Sequence, residues 1–218
     1  YVELLIEDGI IVENKEALAR VDDIYLFPGS IDIHIHGAMG VDVNEADVRG
    51  LYKIAEFLAR EGITAWVPTL VPDSDDNYRR AIDAIDGLMN SQSELPVAQA
   101  VGVHYEGIFA NENMCGALRP EFFKKYMGSE IDDLPRLSSG VHMITLAPEI
   151  EGGIDLIREL VRRGWIVSIG HTNAGPEVLD RALEAGARHM THFFNAMSGL
   201  HHRNLGAVGW GLSTTEVT

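Results

Sequence analysis

Residues 26–37 read LFPGSIDIHIHG, and the middle of that stretch alternates strictly between apolar and polar. On an extended chain successive side chains point to opposite faces, so Asp32, His34 and His36 share one face while Ile31, Ile33 and Ile35 share the other. Two imidazoles at i and i+2 aim their ring nitrogens at one point, as a metal-ligand pair does; a polar strand face meeting water is the plainer alternative. Three more groups of the same chemistry stand at the ends of apolar runs: Glu106 in VGVHYEG, His171 in SIGHT and His192 in MTHFFNA. Each histidine taken singly reads as a satisfied core residue. Taken together, Glu106, His171, His192, His34 and His36 predict a site for a divalent metal, one ion or two. Imidazole and carboxylate donors suit Zn or Fe, with Mn and Co also compatible and water completing the sphere. His104, His142, His189 and His201 lie off these positions and are read as structural. Asp32 either accepts a ring N–H or bonds backbone.

The elements that must position these groups follow from periodicity. Residues 1–25 carry short apolar pieces, YVELLI and GIIVE, around Asp8-Gly9, a hairpin turn signal, and read as a small β element. From Leu26 onward strands alternate with helices. Helical spacing runs over 47–60 through Val48, Leu51, Ile54, Ala55 and Leu58, with Gly62 as the stop, and over 74–90 through Tyr78, Ala81, Ile82, Ile85 and Met89. Further helices are expected at 153–163, ended by Gly164, and at 176–185, with Pro176 in its first turn and Gly186 after its end. Strands are read in SIDIHIHG, ITAWVPTLV, AQAVGVHYEG, VHMITLAPE, WIVSIGHT and HMTHFFNA. The segment 107–140 is long, turn-rich and weakly periodic, as functional loops often are.

Repeated strand–helix–strand order means parallel pairing with right-handed crossovers, and the lack of a Gly-rich phosphate fingerprint after the first strand favours a closed barrel over an open sheet. The expected fold class is α/β, a (β/α)8 TIM-type barrel whose active groups sit at the C-terminal strand ends. About six βα units are visible, whereas a full barrel takes about 250 residues. The chain is therefore expected to be incomplete, either a fragment or a record with pieces absent.

Composition narrows the partners. Of 218 residues 46% are hydrophobic and 23% charged, the profile of a globular protein with ample core. Lys+Arg 17 against Asp+Glu 33 gives a net charge of -16, which disfavours nucleic acid and anionic membranes as partners. The single Cys115 excludes an internal disulfide and fits a reducing compartment. With no leader pattern and no long apolar run, the expected location is cytoplasmic.

The motifs PGSIDIHIHG, GVHYEG, TLAPE, SIGHT and THFFNAMSGLHHRNLG, in this order and over almost the whole chain, resemble the N-acetylglucosamine-6-phosphate deacetylase family of the amidohydrolase superfamily. The resemblance implies a metal-dependent barrel over 26–218, with 1–25 belonging to a small β-sandwich domain built from both chain ends, usually in a homodimer. It implies hydrolysis of the acetamide of a small amino sugar phosphate to acetate and free amine by metal-activated water. Glu106, His171 and His192 match the ligands of the family's main metal. His34 and His36 match a pair that holds a second ion in some members. Asn195 and Ala196 match positions contacting the sugar phosphate, Ala117 a substrate-binding position, and Arg203 an arginine whose planar fork can hold phosphate oxygens in pairs. From the residues alone, Arg203 is also readable as part of a solvated loop.

By the same resemblance the acid–base Asp lies beyond Thr218, so no catalytic residue is assigned within the chain and the 218 residues alone are expected to be inactive. Ile108 and Leu118 depart from the family pattern, where Pro and His are usual, which leaves the sugar epimer and the acyl group open. Three rivals remain: a metal-dependent phosphoesterase or nuclease, a non-catalytic sugar-phosphate binder, and an amidohydrolase acting on cyclic amides.

Overall fold

A computed structural model describes residues 2–7, 10–16, 25, 27–93 and 95–218. The Asp8-Gly9 turn signal lies outside the described residues. The strands on either side of it, β1 (Val2–Glu7) and β2 (Ile10–Glu16), pair antiparallel.

The rest of the chain follows the alternation expected of it. The strand β3 (Ser30–Ile35) carries the His pair, and a short hairpin of β4 (Gly37–Ala38) and β5 (Val41–Asp42) leads to helix α1 (Val48–Arg60). Asp47 caps α1 by accepting the Gly50 N–H at 2.7 Å, satisfying one of the donors that a helix start leaves open. Leu51, Ile54, Ala55 and Leu58 face the core as predicted, whereas Val48 in the first turn is 39% exposed. Gly62, at φ +81°, turns the chain into β6 (Ile63–Leu70). Ser74 caps α2 (Asp75–Ser91), which leads through β7 (Gln99–Ala100) to β8 (Gly102–Phe109). The third predicted strand is thus two pieces, broken at Val101 and running on to Phe109.

The segment before β9 (Val141–Leu146) is loop with short 3-10 turns at Glu112–Met114 and Pro120–Phe122. Next come α3 (Gly153–Arg162), β10 (Ile166–Ile169), α4 (Pro176–Ala185) and β11 (His189–Met190). Pro176 does open α4, and Gly186, at φ +110°, ends it. The sixth predicted strand shrinks to two residues because His192, Phe194 and Ala196 all take left-handed backbone, which no extended run permits. A helix absent from the sequence reading, α5 (Gly206–Ser213), buries Ala207, Val208 and Trp210, and the Trp210 ring N–H donates to Asp180 at 2.7 Å.

The strands form one parallel sheet in the order β11-β10-β9-β8-β6-β3, with β7 also on β6, and the helices alternate with them along the chain. This is the curled half-barrel of an α/β TIM-type fold. Its largest fully buried side chains include Trp66, Tyr78, Tyr105, Phe109 and Ile144. Ile31 and Ile33 are 63% and 41% exposed, because β3 is the last strand on its side of the sheet. A cavity of about 340 Å³ lies between the two edge strands, lined by Ile33 and His34 on one side and His189 and Met190 on the other. Among the described residues no helix is long and apolar enough to cross a membrane.

Candidate metal centre

Glu106 sits in β8, whose eight residues are all buried, and is itself 2% exposed. The other four predicted residues meet it from the ends of three different strands. His34 lies near the end of β3 and His36 one residue past it, while His171 and His192 each follow their strand's last residue by two. At those two positions the backbone turns left-handed, φ +49° at His171 and +35° at His192, so the chain breaks from the strand direction where the ring must turn toward Glu106.

The distances are short. His36 Nε2 lies 2.9 Å from Glu106 Oε2. His192 Nε2, His171 Nε2 and His34 Nε2 lie 2.9, 3.1 and 3.5 Å from Oε1. The Nε2 atoms of His171 and His192 are 3.0 Å apart.

Three of the rings are oriented from behind by backbone carbonyls. The Nδ1 atom of His171 faces Met114 O at 2.8 Å, that of His36 faces Thr69 O at 3.2 Å, and that of His192 faces Asn195 O at 3.2 Å. A carbonyl only accepts, so each Nδ1 carries the hydrogen and, on a neutral ring, each Nε2 presents a lone pair. Lone pairs and a carboxylate cannot share so small a space unless a proton or a cation lies between them. Without an ion, protons take that role. Burial opposes charge on His36 and on His192, yet the Glu106 carboxylate outweighs it and raises both pKa values. Burial likewise opposes charge on Glu106, but hydrogen bonds from His171, His192 and His36 hold its carboxyl well below the usual range. Burial dominates at His34 and lowers its pKa.

A divalent cation answers the same requirement without protons. Donors around a four-coordinate ion with bonds of about 2.0–2.1 Å stand roughly 3.3 Å apart, close to the spacings seen here. His34, Glu106 and His192 offer donor atoms all within 4.8 Å of one another, and His34 Nδ1 is buried with no hydrogen-bond partner. The donor set therefore fits a divalent ion, with backbone carbonyls orienting the imidazoles as is usual around metals.

The remaining predicted residues are less closely gathered. Asn195 is exposed; its backbone N–H donates to His192 O at 2.9 Å. Ala196, at φ +50°, accepts the Thr172 N–H at 3.1 Å, which folds the segment after β11 back over the end of β10. Ala117 and Arg203 are exposed, and Arg203 donates its backbone N–H to His201 Nδ1 at 3.2 Å. Leu118 is buried and packs on Gly107, where an added Cβ would lie 2.1 Å from its Cδ1. Ile108 is fully buried in β8. Asp32 takes the second of its two readings and accepts the His34 backbone N–H at 3.0 Å.

His104 is read from the sequence as structural, and both of its ring nitrogens are bonded. It is fully buried, its ring lies 5.1 Å from that of His34, and burial pushes its pKa down to about 3. His104 and Glu106 are spaced i and i+2 on one strand, as His34 and His36 are.

The amidohydrolase family model matches residues 25–216. An N-acetylglucosamine-6-phosphate deacetylase from Bacillus subtilis (strain 168) is 37% identical over 209 residues, covering 92% of this chain and 51% of the relative. An N-acetylgalactosamine-6-phosphate deacetylase from Escherichia coli O157:H7 is 36% identical over 215 residues, covering 97% and 56%. The crystal structure of N-acetylglucosamine-6-phosphate deacetylase from Thermotoga maritima superimposes with a TM-score of 0.86 at 29% identity, covering 100% of this chain and 56% of that one. The chain thus spans about half the length of the relatives it matches.

Proposed function

Since the chain belongs to the amidohydrolase family through residues 25–216, we propose that it supplies the metal-binding half of an enzyme that deacetylates an N-acetylated amino sugar 6-phosphate. The observation that carries this reading is the set of carbonyl-oriented imidazoles whose Nε2 atoms surround one buried carboxylate. Glu106, His171 and His192 hold the principal ion, and His34 with His36 borders it or holds a second; Zn or Fe is the expected metal. When bound, such an ion lowers the pKa of water beside it and polarises an amide carbonyl.

The protein's own part is placement. Met114, Thr69 and Asn195 fix three rings through their carbonyls, which points the Nε2 atoms of those rings toward Glu106. The loop 111–118 reaches the same place: an added Cβ on Gly116 would lie 3.7 Å from His171 Cε1 and 3.8 Å from Ala196 Cβ. We assign the substrate side of the site to this loop with Ala117, and to Asn195, Ala196 and Arg203. On a protein of net charge -16, a local arginine is the group to hold a phosphate. Residues 1–25 are assigned to a small β domain, a homodimer is the expected assembly, and the expected location is cytoplasmic.

Relatives named for the gluco and galacto substrates are nearly equal in identity, so neither epimer is preferred. Incubating the full-length protein with N-acetylglucosamine 6-phosphate and with N-acetylgalactosamine 6-phosphate, and measuring acetate, tests the proposal. Acetate from at least one is expected. Release of inorganic phosphate in its place, or no product from either sugar, would refute it.

A further inference from the structure

The regular backbone ladder that holds the strand carrying the His pair is interrupted where the pair sits. The β3–β6 ladder runs regularly at Ile31 and Asp32 and becomes irregular between Asp32 and Ile35, which lies opposite Pro68, a residue with no N–H to give. Side chains take over there. Asp32 accepts the His34 N–H at 3.0 Å, Thr69 Oγ1 accepts the Ile35 N–H at 3.0 Å, and His104 Nδ1 meets Ile33 O at 2.9 Å.

His104 differs from the other two clamps because it is anchored across the whole half-barrel. Ile33 O only accepts, so Nδ1 carries the hydrogen and Nε2 of the neutral ring accepts from the Thr145 hydroxyl at 2.7 Å. Thr145 then accepts from Thr191 at 2.6 Å, and Thr191 from Ser168 at 2.6 Å. All four side chains are buried. The direction of every bond is thereby set by one carbonyl. This chain begins on β3 beside His34, passes through β8 two residues before Glu106, crosses β9, and ends at Thr191, which precedes His192, and at Ser168, three residues before His171.

Resting on the metal reading proposed above, we infer that His104 is a positioning residue that ties the His34/His36 strand to the strands bearing Glu106, His171 and His192, and so sets the spacing of the donors. His104 is not itself a ligand in this scheme, since both of its ring nitrogens are already bonded.

The test measures Zn²⁺ affinity and stoichiometry by equilibrium dialysis with elemental analysis, and Co²⁺ absorption as a report of donor geometry, on the full-length protein. His104→Leu is expected to lose about 10- to 100-fold in Zn²⁺ affinity, the range found when groups that orient ligands are removed, and to alter the Co²⁺ spectrum. His104→Asn, which keeps an amide N–H near the Nδ1 position, is expected to recover most of the affinity. Should His104→Leu fail to fold, Thr145→Val serves instead, since it leaves the ring in place and removes only its anchor. A merely structural role would lower the thermal midpoint while leaving Zn²⁺ affinity and the Co²⁺ spectrum unchanged, and that result overturns the inference alone. If the unsubstituted protein takes up neither ion, the metal reading fails and this inference fails with it.

Discussion

Thr145→Val tests the buried hydroxyl chain at its most sensitive link. The substitution keeps the side-chain shape and removes one hydroxyl that is fully buried and bonded on both sides, 2.7 Å to His104 Nε2 and 2.6 Å to Thr191 Oγ1. His104 cannot compensate: its Nδ1–H stays committed to Ile33 O, so Nε2 is left as a buried acceptor without a donor. A stranded buried group costs about 1–3 kcal/mol, and the lost bond adds about 1 kcal/mol. Thr191 can instead turn its hydrogen toward Ser168, which trims the loss. The expected destabilisation is about 2–3 kcal/mol. For a unit of this size that corresponds to a fall of about 4–12 °C in Tm.

Thr191→Val breaks the same chain further from the ring and leaves Thr145 still donating to His104. It also takes the acceptor from the buried Ser168 hydroxyl, so its cost should be about 1–3 kcal/mol. The double variant should fall short of the sum, since the two sites share one network. Urea unfolding of the three variants in EDTA, with the unsubstituted protein beside them, supplies the full cycle. A Thr145→Val loss below about 0.5 kcal/mol would show that the hydrogen-bond directions assigned here are wrong.

Two further predictions concern charge. Glu106→Gln keeps the shape of the central side chain and removes its charge. Zn²⁺ affinity should fall by more than about 100-fold, about 2.7 kcal/mol, and His36 and His192 in the ion-free protein should titrate lower by NMR because the carboxylate that raises them is gone; unaltered titration would count against the site. His142, whose pKa burial and then the Arg136 charge depress, accepts the Leu137 N–H at 3.0 Å as a neutral ring. The unfolded chain takes up this proton near 6.5 and the folded one only at lower pH, so the contribution is complete above about pH 6.5 and is lost as pH falls below it, by at most about 1.4 kcal/mol per pH unit. Unfolding free energies at pH 7, 6 and 5 should decline less steeply for His142→Gln, which cannot titrate, and equal slopes would exclude the assignment.

Much of the fold was legible because its signals are local. Pro176 opens a helix, and Gly62 and Gly186 follow helix ends, since such signals act within one turn of chain. The site was legible in part for a similar reason: polar residues closing apolar runs in a parallel α/β fold gather at one end of the sheet. The stretch after Met190 was misread as strand because left-handed backbone at His192, Phe194 and Ala196 is imposed by packing and carries no glycine to announce it. The segment 107–140 carried no periodic signal, and the contact of its Met114 carbonyl with His171 Nδ1, 57 residues apart, depends on the fold.

By itself, then, the sequence determined the order and kind of the elements, and which imidazoles and carboxylate would end near one another. Tertiary structure alone decided that Glu106 is the centre on which the four rings converge, that backbone carbonyls choose the tautomers of three of them, and that His104 reaches the carbonyl of Ile33 beside His34. The reason is one of range. Side-chain alternation and capping are fixed by neighbours in the chain, whereas a hydrogen bond such as that between His104 and Ile33, 71 residues apart, exists only once the sheet has curled.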